Sequence, residues 1–171
     1  MYTKDAIRFS LNLANRAMLG SLDQIEDAPL TFPTPHGGCH PLWVLGHLTL
    51  VEGLTYELIS GRPNPVSKWA PLFAPNTTPV ADASIYPAFG EIRARYLELR
   101  EKNLRLLDSL SEADLDTPTN NPPKGLEEIF ATYGKSFLAL AFHQTAHRGQ
   151  ITDAIRAAGR TVQLGVDVAA A

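Results

Sequence analysis

The sequence predicts an all-α fold, a four-helix bundle, and three observations lead there. Proline breaks helix interiors, and all 13 prolines lie between Pro29 and Pro123. Four long proline-free stretches remain, and within them apolar residues recur at spacings of three or four, which is the helical period. No stretch shows the sustained alternation of apolar and polar residues that is typical of a strand. We therefore expect four helices in one domain spanning residues 1–171.

The first two helices follow from this punctuation. The first should run to Ala28, because one apolar stripe continues through the whole segment: Ile7, Leu11, Ala14, Met18, Leu22 and Ile25. The second should begin at Pro41, because proline suits the first helical turn, where its missing N–H would have had no partner. It should end near Gly61.

The third helix is predicted from Ser84 as its N-cap, with Pro87 in the first turn. Asn103 interrupts its apolar stripe; it either sets the packing register of the helix or contacts a ligand, and the packing interpretation is favoured. The fourth helix should begin at Leu126 or Thr132 and run to Ala158. Gly159 then takes the C′ position that commonly ends helices.

Two long connections join these helices. Residues 62–83 carry five prolines together with Trp69 and Phe73. These aromatic side chains either form part of a pocket wall or only cover apolar surface, and the sequence favours neither alternative. Residues 111–125 have turn chemistry and no obvious reactive side chain, so we expect a linker there.

Composition excludes several classes of function. The net charge is −3 and the basic residues are scattered, which argues against a nucleic-acid surface. Residues 28–51 lack charged side chains, but four prolines and three histidines make them a poor membrane span. Cys39 is the sole cysteine, which rules out an intramolecular disulfide and a cysteine-based zinc cage. Without a signal-peptide core near the N-terminus, we expect a cytoplasmic protein.

Three histidines are the strongest candidates for a functional site. His143 and His147 are four residues apart, so both imidazoles stand on one face of a helix. His47 lies on the apolar face of the second helix. Buried polar groups need partners, and three imidazoles converging from two helices would most simply share a divalent cation. Three histidine ligands would leave one coordination position open, as catalytic zinc sites do.

Two motifs carrying these histidines resemble the DinB-like superfamily: Trp43-Val44-Leu45-Gly46-His47-Leu48, and His143-Gln144-Thr145-Ala146-His147-Arg148-Gly149-Gln150-Ile151. The resemblance implies a four-helix bundle with a long crossover between the second and third helices. It also implies that His47, His143 and His147 bind nickel or zinc, with water completing the coordination shell. A homodimer is a further expectation from the resemblance alone.

The resemblance leaves the activity open. Our preferred hypothesis is a metal-dependent transferase that uses a low-molecular-weight thiol, such as bacillithiol or mycothiol, on a small-molecule substrate. A metal-dependent hydrolase of the same fold is the alternative. From other classes, the chain could be a non-enzymatic metal-binding or small-molecule-binding stress protein, or a structural dimerisation module. Phosphate-binding glycine motifs are absent from the sequence, so nucleotide cofactors are not expected.

Other residues receive structural interpretations. Within the second motif, Arg148 and Gln150 should support the site, with Arg148 pairing with a carboxylate, and Gly149 should allow close helix approach. Glu52 should be a solvated charge, because it is rotated away from the face of His47. Cys39, flanked by His36 and His40, could be a nucleophile, but an ordinary loop thiol is favoured because no orienting carboxylate is evident.

Overall fold

The computed structural model describes residues 2–32 and 38–163. Four long helices dominate it: α1 (Thr3–Asp23), α2 (Pro41–Ser60), α4 (Phe89–Ser109) and α5 (Tyr133–Ala157). A short helix, α3 (Ala70–Phe73), lies in the crossover between α2 and α4. Within the described ranges no β-strand forms, apart from a single bridging pair between Pro118 and Thr132. The predicted all-helical class is therefore confirmed.

The packing of the long helices places α2 at the centre. α1 packs along α5, and α2 packs against both α4 and α5. The short helix α3 covers a further part of α2, with Trp69 and Phe73 both buried in the core. As a result α2 is buried on nearly all sides, which explains why it is apolar around most of its circumference.

The boundaries of α2 agree with the prediction, and local chemistry explains them. Pro41 occupies the first turn, and the imidazole Nδ1 of His40 accepts a hydrogen bond of 3.0 Å from the Trp43 N–H. This capping bond satisfies one of the donors that a helix start leaves without a partner. At the other end Gly61 has φ of 70°, a left-handed conformation that glycine adopts without steric cost.

Two other boundaries differ from the prediction. α1 ends at Asp23 rather than Ala28, because tighter turns replace the helical bonds beyond it, although Ile25 remains buried. The third long helix begins at Phe89, and Ser84 lies instead in a short 3₁₀ turn (Ala83–Ile85). Pro87 is the reason, since the residue before a proline is pushed to extended backbone, and Tyr86 has ψ of 153°.

The last long helix, α5, begins at the second of its two predicted start sites. Thr132 is the N-cap of α5, and its hydroxyl accepts a hydrogen bond of 3.3 Å from the Lys135 N–H. Gly159 has φ of 74° just beyond the last turn, as expected for a helix-ending glycine. In the described part of the chain, no helix is both long and apolar enough to cross a membrane.

Candidate metal centre

Three imidazoles meet between α2 and α5, as their spacing predicts. The Nε2 atom of His143 lies 3.2 Å from Nε2 of His47 and 3.0 Å from Nε2 of His147. One ring nitrogen from each residue falls within 4.8 Å of the other two. These side chains are buried or half-buried, and together they form a group that could hold a metal ion. We call this group the histidine cluster.

Hydrogen bonds outside the cluster fix the protonation of two of its rings. The Nδ1 atom of His47 lies 2.7 Å from the carbonyl oxygen of Phe73, and Nδ1 of His147 lies 2.7 Å from Oε1 of Gln150. A carbonyl or amide oxygen can only accept, so each Nδ1 carries the hydrogen and each Nε2 keeps a lone pair. The same arrangement orients histidine ligands in metal sites.

The third ring leaves a buried polar atom without a partner. Nδ1 of His143 has no hydrogen-bond partner among the described residues. Burial and the neighbouring imidazoles lower the pKa of His143 to about 3, and burial is also the main reason that the pKa of His47 falls to about 4. The rings are therefore neutral near pH 7, which is the form that binds metals.

The separation of the ring nitrogens fits a cation. A metal–nitrogen bond of about 2.0–2.1 Å in a tetrahedral site places neighbouring ligand nitrogens about 3.3 Å apart. Two of the three observed separations, 3.0 and 3.2 Å, are close to that value, and all three nitrogens lie within 4.8 Å of one another. Without a cation, the Nε2 lone pairs of His47 and His147 both lie beside Nε2 of His143. That atom carries at most one hydrogen, so it can donate to only one of them. The residues present thus fit a divalent metal.

Gly46 and Phe73 hold the ring of His47 in place, and the sequence did not single out either for this role. A Cβ atom added at Gly46 would overlap the ring of Phe73. Glycine therefore lets Phe73 approach α2 closely enough for its carbonyl to accept from His47. On the other side, Trp43 stacks on the imidazole, with ring centroids 4.8 Å apart. Both crossover aromatics thus pack in the core, and Phe73 also positions the imidazole of His47.

In the motif from His143 to Ile151, the supporting role predicted for Gln150 is confirmed, and the prediction for Gly149 is wrong. Gln150 accepts from His147, as a supporting residue would. Arg148 donates from Nε to the carbonyl of Ala17 at 3.1 Å and to the hydroxyl of Ser21 at 3.0 Å, which ties α5 to α1. Gly149 was expected to allow close helix approach, but a Cβ there would meet nothing within 4 Å.

The environment of Cys39 favours the loop-thiol interpretation. Burial raises the pKa of the Cys39 thiol, with an opposing hydrogen bond from Gln150. Both ring nitrogens of His40 are engaged elsewhere, with the Trp43 N–H and the Val80 carbonyl, each at 3.0 Å. His36, the other imidazole considered as a base, lies outside the described residues.

Glu52 was predicted to be solvated, and this is wrong. It is fully buried and forms an ion pair with buried Arg100, because α4 packs on the face of α2 that turns away from His47. Asn103 donates to its Oε2 at 2.7 Å, so the packing interpretation of Asn103 is the one its contacts support. Burial raises the pKa of Glu52, and the charge of Arg100 counteracts this.

Further residues extend the group of buried polar side chains around Glu52 and Arg100. Arg100 donates to Oε1 of Gln144 at 2.5 Å, and Gln144 donates to the hydroxyl of Tyr96. Burial raises the pKa of Tyr96 to about 12, and its hydroxyl donates to Asn15 on α1 at 2.8 Å. We call these five residues the core polar network: Glu52, Tyr96, Arg100, Asn103 and Gln144.

A cavity of about 510 Å³ adjoins the histidine cluster, with His47 and His143 in its wall. Apolar side chains line most of the remainder: α2 and α5 supply five of them, and the chain just before α5 supplies Leu126, Ile129 and Phe130. The crossover contributes Asn64 and Pro75 rather than its aromatic rings. Residues 111–125 were expected to be only a linker, yet Pro123 belongs to the wall and the chain just beyond it continues the lining.

The fold and the histidine cluster together define a class: a helical protein with a candidate metal centre between two of its long helices. The chain belongs to the DinB superfamily, whose family model matches residues 10–151. That span contains His47, His143 and His147, so the family resemblance in the two motifs is confirmed at the level of the superfamily. Comparison with curated proteins finds no significant match.

Proposed function

We propose that this protein is a metal-dependent enzyme that binds one nickel or zinc ion through Nε2 of His47, His143 and His147. One observation carries the proposal: hydrogen bonds to Phe73 and Gln150 fix two Nε2 lone pairs, which converge with the third Nε2 at 3.0–3.2 Å. The bound ion would lower the pKa of a nucleophile in its open position. The adjoining cavity would hold the small-molecule substrate.

We further propose that the nucleophile is the thiolate of a low-molecular-weight thiol, which makes the protein a transferase. The resemblance to thiol-dependent members of the superfamily is the basis for choosing a thiol. The raised pKa of Cys39 supports a nucleophile from outside the chain, since a thiol whose pKa is raised is a poor internal candidate. Assembly as a homodimer rests on the resemblance alone, and a monomer mass in light scattering would contradict it.

Metal content is the first test. Untagged protein should contain about one nickel or zinc per chain by mass spectrometry, and His143→Ala should lose it because two neutral imidazoles are left. His40→Asn is the matched control: it removes a buried imidazole outside the cluster and supplies another good N-cap residue. Full metal content in His143→Ala would contradict the proposal that three histidines bind the metal.

A second measurement addresses the reaction. Metal-loaded protein, incubated with an uncharged alkyl halide and a small thiol, should release halide as the thioether forms, and chelated protein should not. Halide release that requires the metal but not the thiol would replace the transferase proposal with a hydrolase. Thiol-dependent release from His143→Ala equal to that of the wild type would contradict the role of the cluster.

A further inference from the structure

The wall of the cavity beside the histidine cluster contains no charged side chain. α2 supplies Leu50, Val51 and Leu54, and α5 supplies Ala139 and Phe142. No Lys, Arg, Asp or Glu occurs among the lining residues that the structure describes. At about 510 Å³ the cavity is of the size that holds a small molecule. A ligand with a net charge would lose hydration there and gain no counter-charge from the wall.

The polar groups of the wall are already engaged, apart from the histidines. Among the lining residues that lie in the described ranges, Asn64 is the only other one with a hydrogen-bonding side chain. Its Nδ2 donates to the Leu50 carbonyl at 3.1 Å, and its Oδ1 accepts from the Val66 N–H at 3.0 Å. The cavity therefore offers an apolar surface, with its polar chemistry concentrated at one end beside His47 and His143.

Exposed apolar side chains gather at the mouth of this cavity. Leu126, Ile129 and Phe142 are 39%, 50% and 78% exposed, and all three belong to the lining. They come from two separate segments, the chain before α5 and α5 itself. Contiguous exposed apolar surface of this kind marks ligand-binding grooves. An apolar ligand would cover part of it.

We propose that this cavity binds an uncharged, apolar small molecule as the substrate, with its reacting atom held at the end formed by His47 and His143. Charged groups of a thiol cosubstrate lie outside the cavity, because the wall has no group to pair with them. The substrate role rests on the proposed metal-dependent function. Binding of an apolar molecule depends only on the wall, so it can be measured with or without metal.

The test uses N-phenyl-1-naphthylamine, an uncharged fluorescent probe, titrated into wild-type protein and two variants. Ala139 is half-buried and stands one turn before His143, so Ala139→Trp should fill the cavity and weaken probe binding at least about tenfold. Ala146→Trp adds the same ring at an exposed position of α5 outside the lining, and should bind the probe like the wild type. Equal affinity in Ala139→Trp and the wild type would overturn the inference.

A further variant keeps the inference testable if Ala139→Trp does not fold. Ile129→Glu places a charge at the exposed mouth, and it should also weaken binding of the neutral probe. An anionic relative of the probe, anilinonaphthalene sulfonate, should bind the wild type more weakly than the neutral probe; tighter binding of the anion would also overturn the inference.

Metal measured on the same samples separates the two proposals. If the protein binds the probe but retains no nickel or zinc after incubation with either ion, the cavity inference is supported and the metal centre is contradicted. Bound metal without probe binding has the opposite meaning.

Discussion

Two clusters of buried polar side chains lie next to each other between α2 and its neighbours, and they differ in how their chemistry is balanced. His143 belongs to the histidine cluster, and the adjacent Gln144 belongs to the core polar network. The network contains an anion and a cation, Glu52 and Arg100, which face each other. The histidine cluster brings together three neutral bases and no cation of its own.

The difference indicates which of the two clusters is the candidate ligand-binding site. The ion pair in the core brings opposite charges together, and the amides of Asn103 and Gln144 extend the contacts across α2, α4 and α5. Nε and Nη1 of Arg100 and Oδ1 of Asn103 have no hydrogen-bond partner among the described residues. Such a network can maintain the relative positions of helices without any ligand. Convergent lone pairs, in contrast, repel unless a proton or a metal ion lies between them. The convergent lone pairs, rather than burial alone, are the reason that the histidine cluster is the candidate functional site.

The largest expected effect comes from breaking the network. Arg100→Ala leaves the buried Glu52 carboxyl without its cation, so it should lower the free energy of unfolding by about 3–5 kcal/mol. Urea unfolding of metal-free protein measures this. Arg105→Ala is the matched control on the same helix, because its ion pair with Glu101 is exposed and should contribute at most about 0.5 kcal/mol.

Replacing both charges sharpens the same comparison. Glu52→Leu combined with Arg100→Met removes the ion pair without leaving one charge buried, so it should destabilise the protein less than Arg100→Ala does. A loss below about 1 kcal/mol in Arg100→Ala would show that Glu52 does not remain as a buried, unpaired charge, and that the network is not a closed structural unit.

A smaller effect is expected at the support of the histidine cluster. Gly46→Ala forces the Phe73 ring away from α2 and disturbs the carbonyl that accepts from His47, so metal affinity should fall by about 10–100-fold. Competition with a chromophoric chelator measures the affinity. Gly149→Ala, in open space on α5, should leave the affinity unchanged. Equal affinities in the two variants would mean that the Phe73 contact does not orient the imidazole.

The histidine cluster was predictable because its signal is local. His143 and His147 share a helix face through their spacing, and His47 lies on a face of apolar neighbours, so residue type and periodicity were enough. Its support was not predictable in the same way. Phe73 is contributed by a crossover whose path cannot be read from helical periodicity, and the role of Gly46 depends on that path.

The core polar network and the cavity were missed for related reasons. Glu52 and Arg100 are 48 residues apart, and a charged residue off the apolar face of a helix normally reaches solvent. Only the packing of α4 on that side of α2 buries both. The cavity wall likewise combines α2, α5 and the chain before α5. Helix periodicity predicts which face is buried, but not which segments meet across it.

The pH dependence of metal-free protein gives the smallest expected effect and tests whether the histidines are buried as neutral bases. The pKa of His47 is about 4 and that of His143 about 3, both below the usual 6.5, so the unfolded chain binds more protons between these values. The contribution of these two histidines to stability should therefore be fully present above pH 6.5 and be lost progressively as the pH falls towards their folded pKa values of about 4 and about 3. His143→Gln removes one of these sites, and its slope should be shallower by at most about 1.4 kcal/mol per pH unit. Urea unfolding in chelator at several pH values measures both slopes. Identical slopes would show that His143 is protonated as readily in the folded protein as in the unfolded chain, which would contradict its burial as a neutral base.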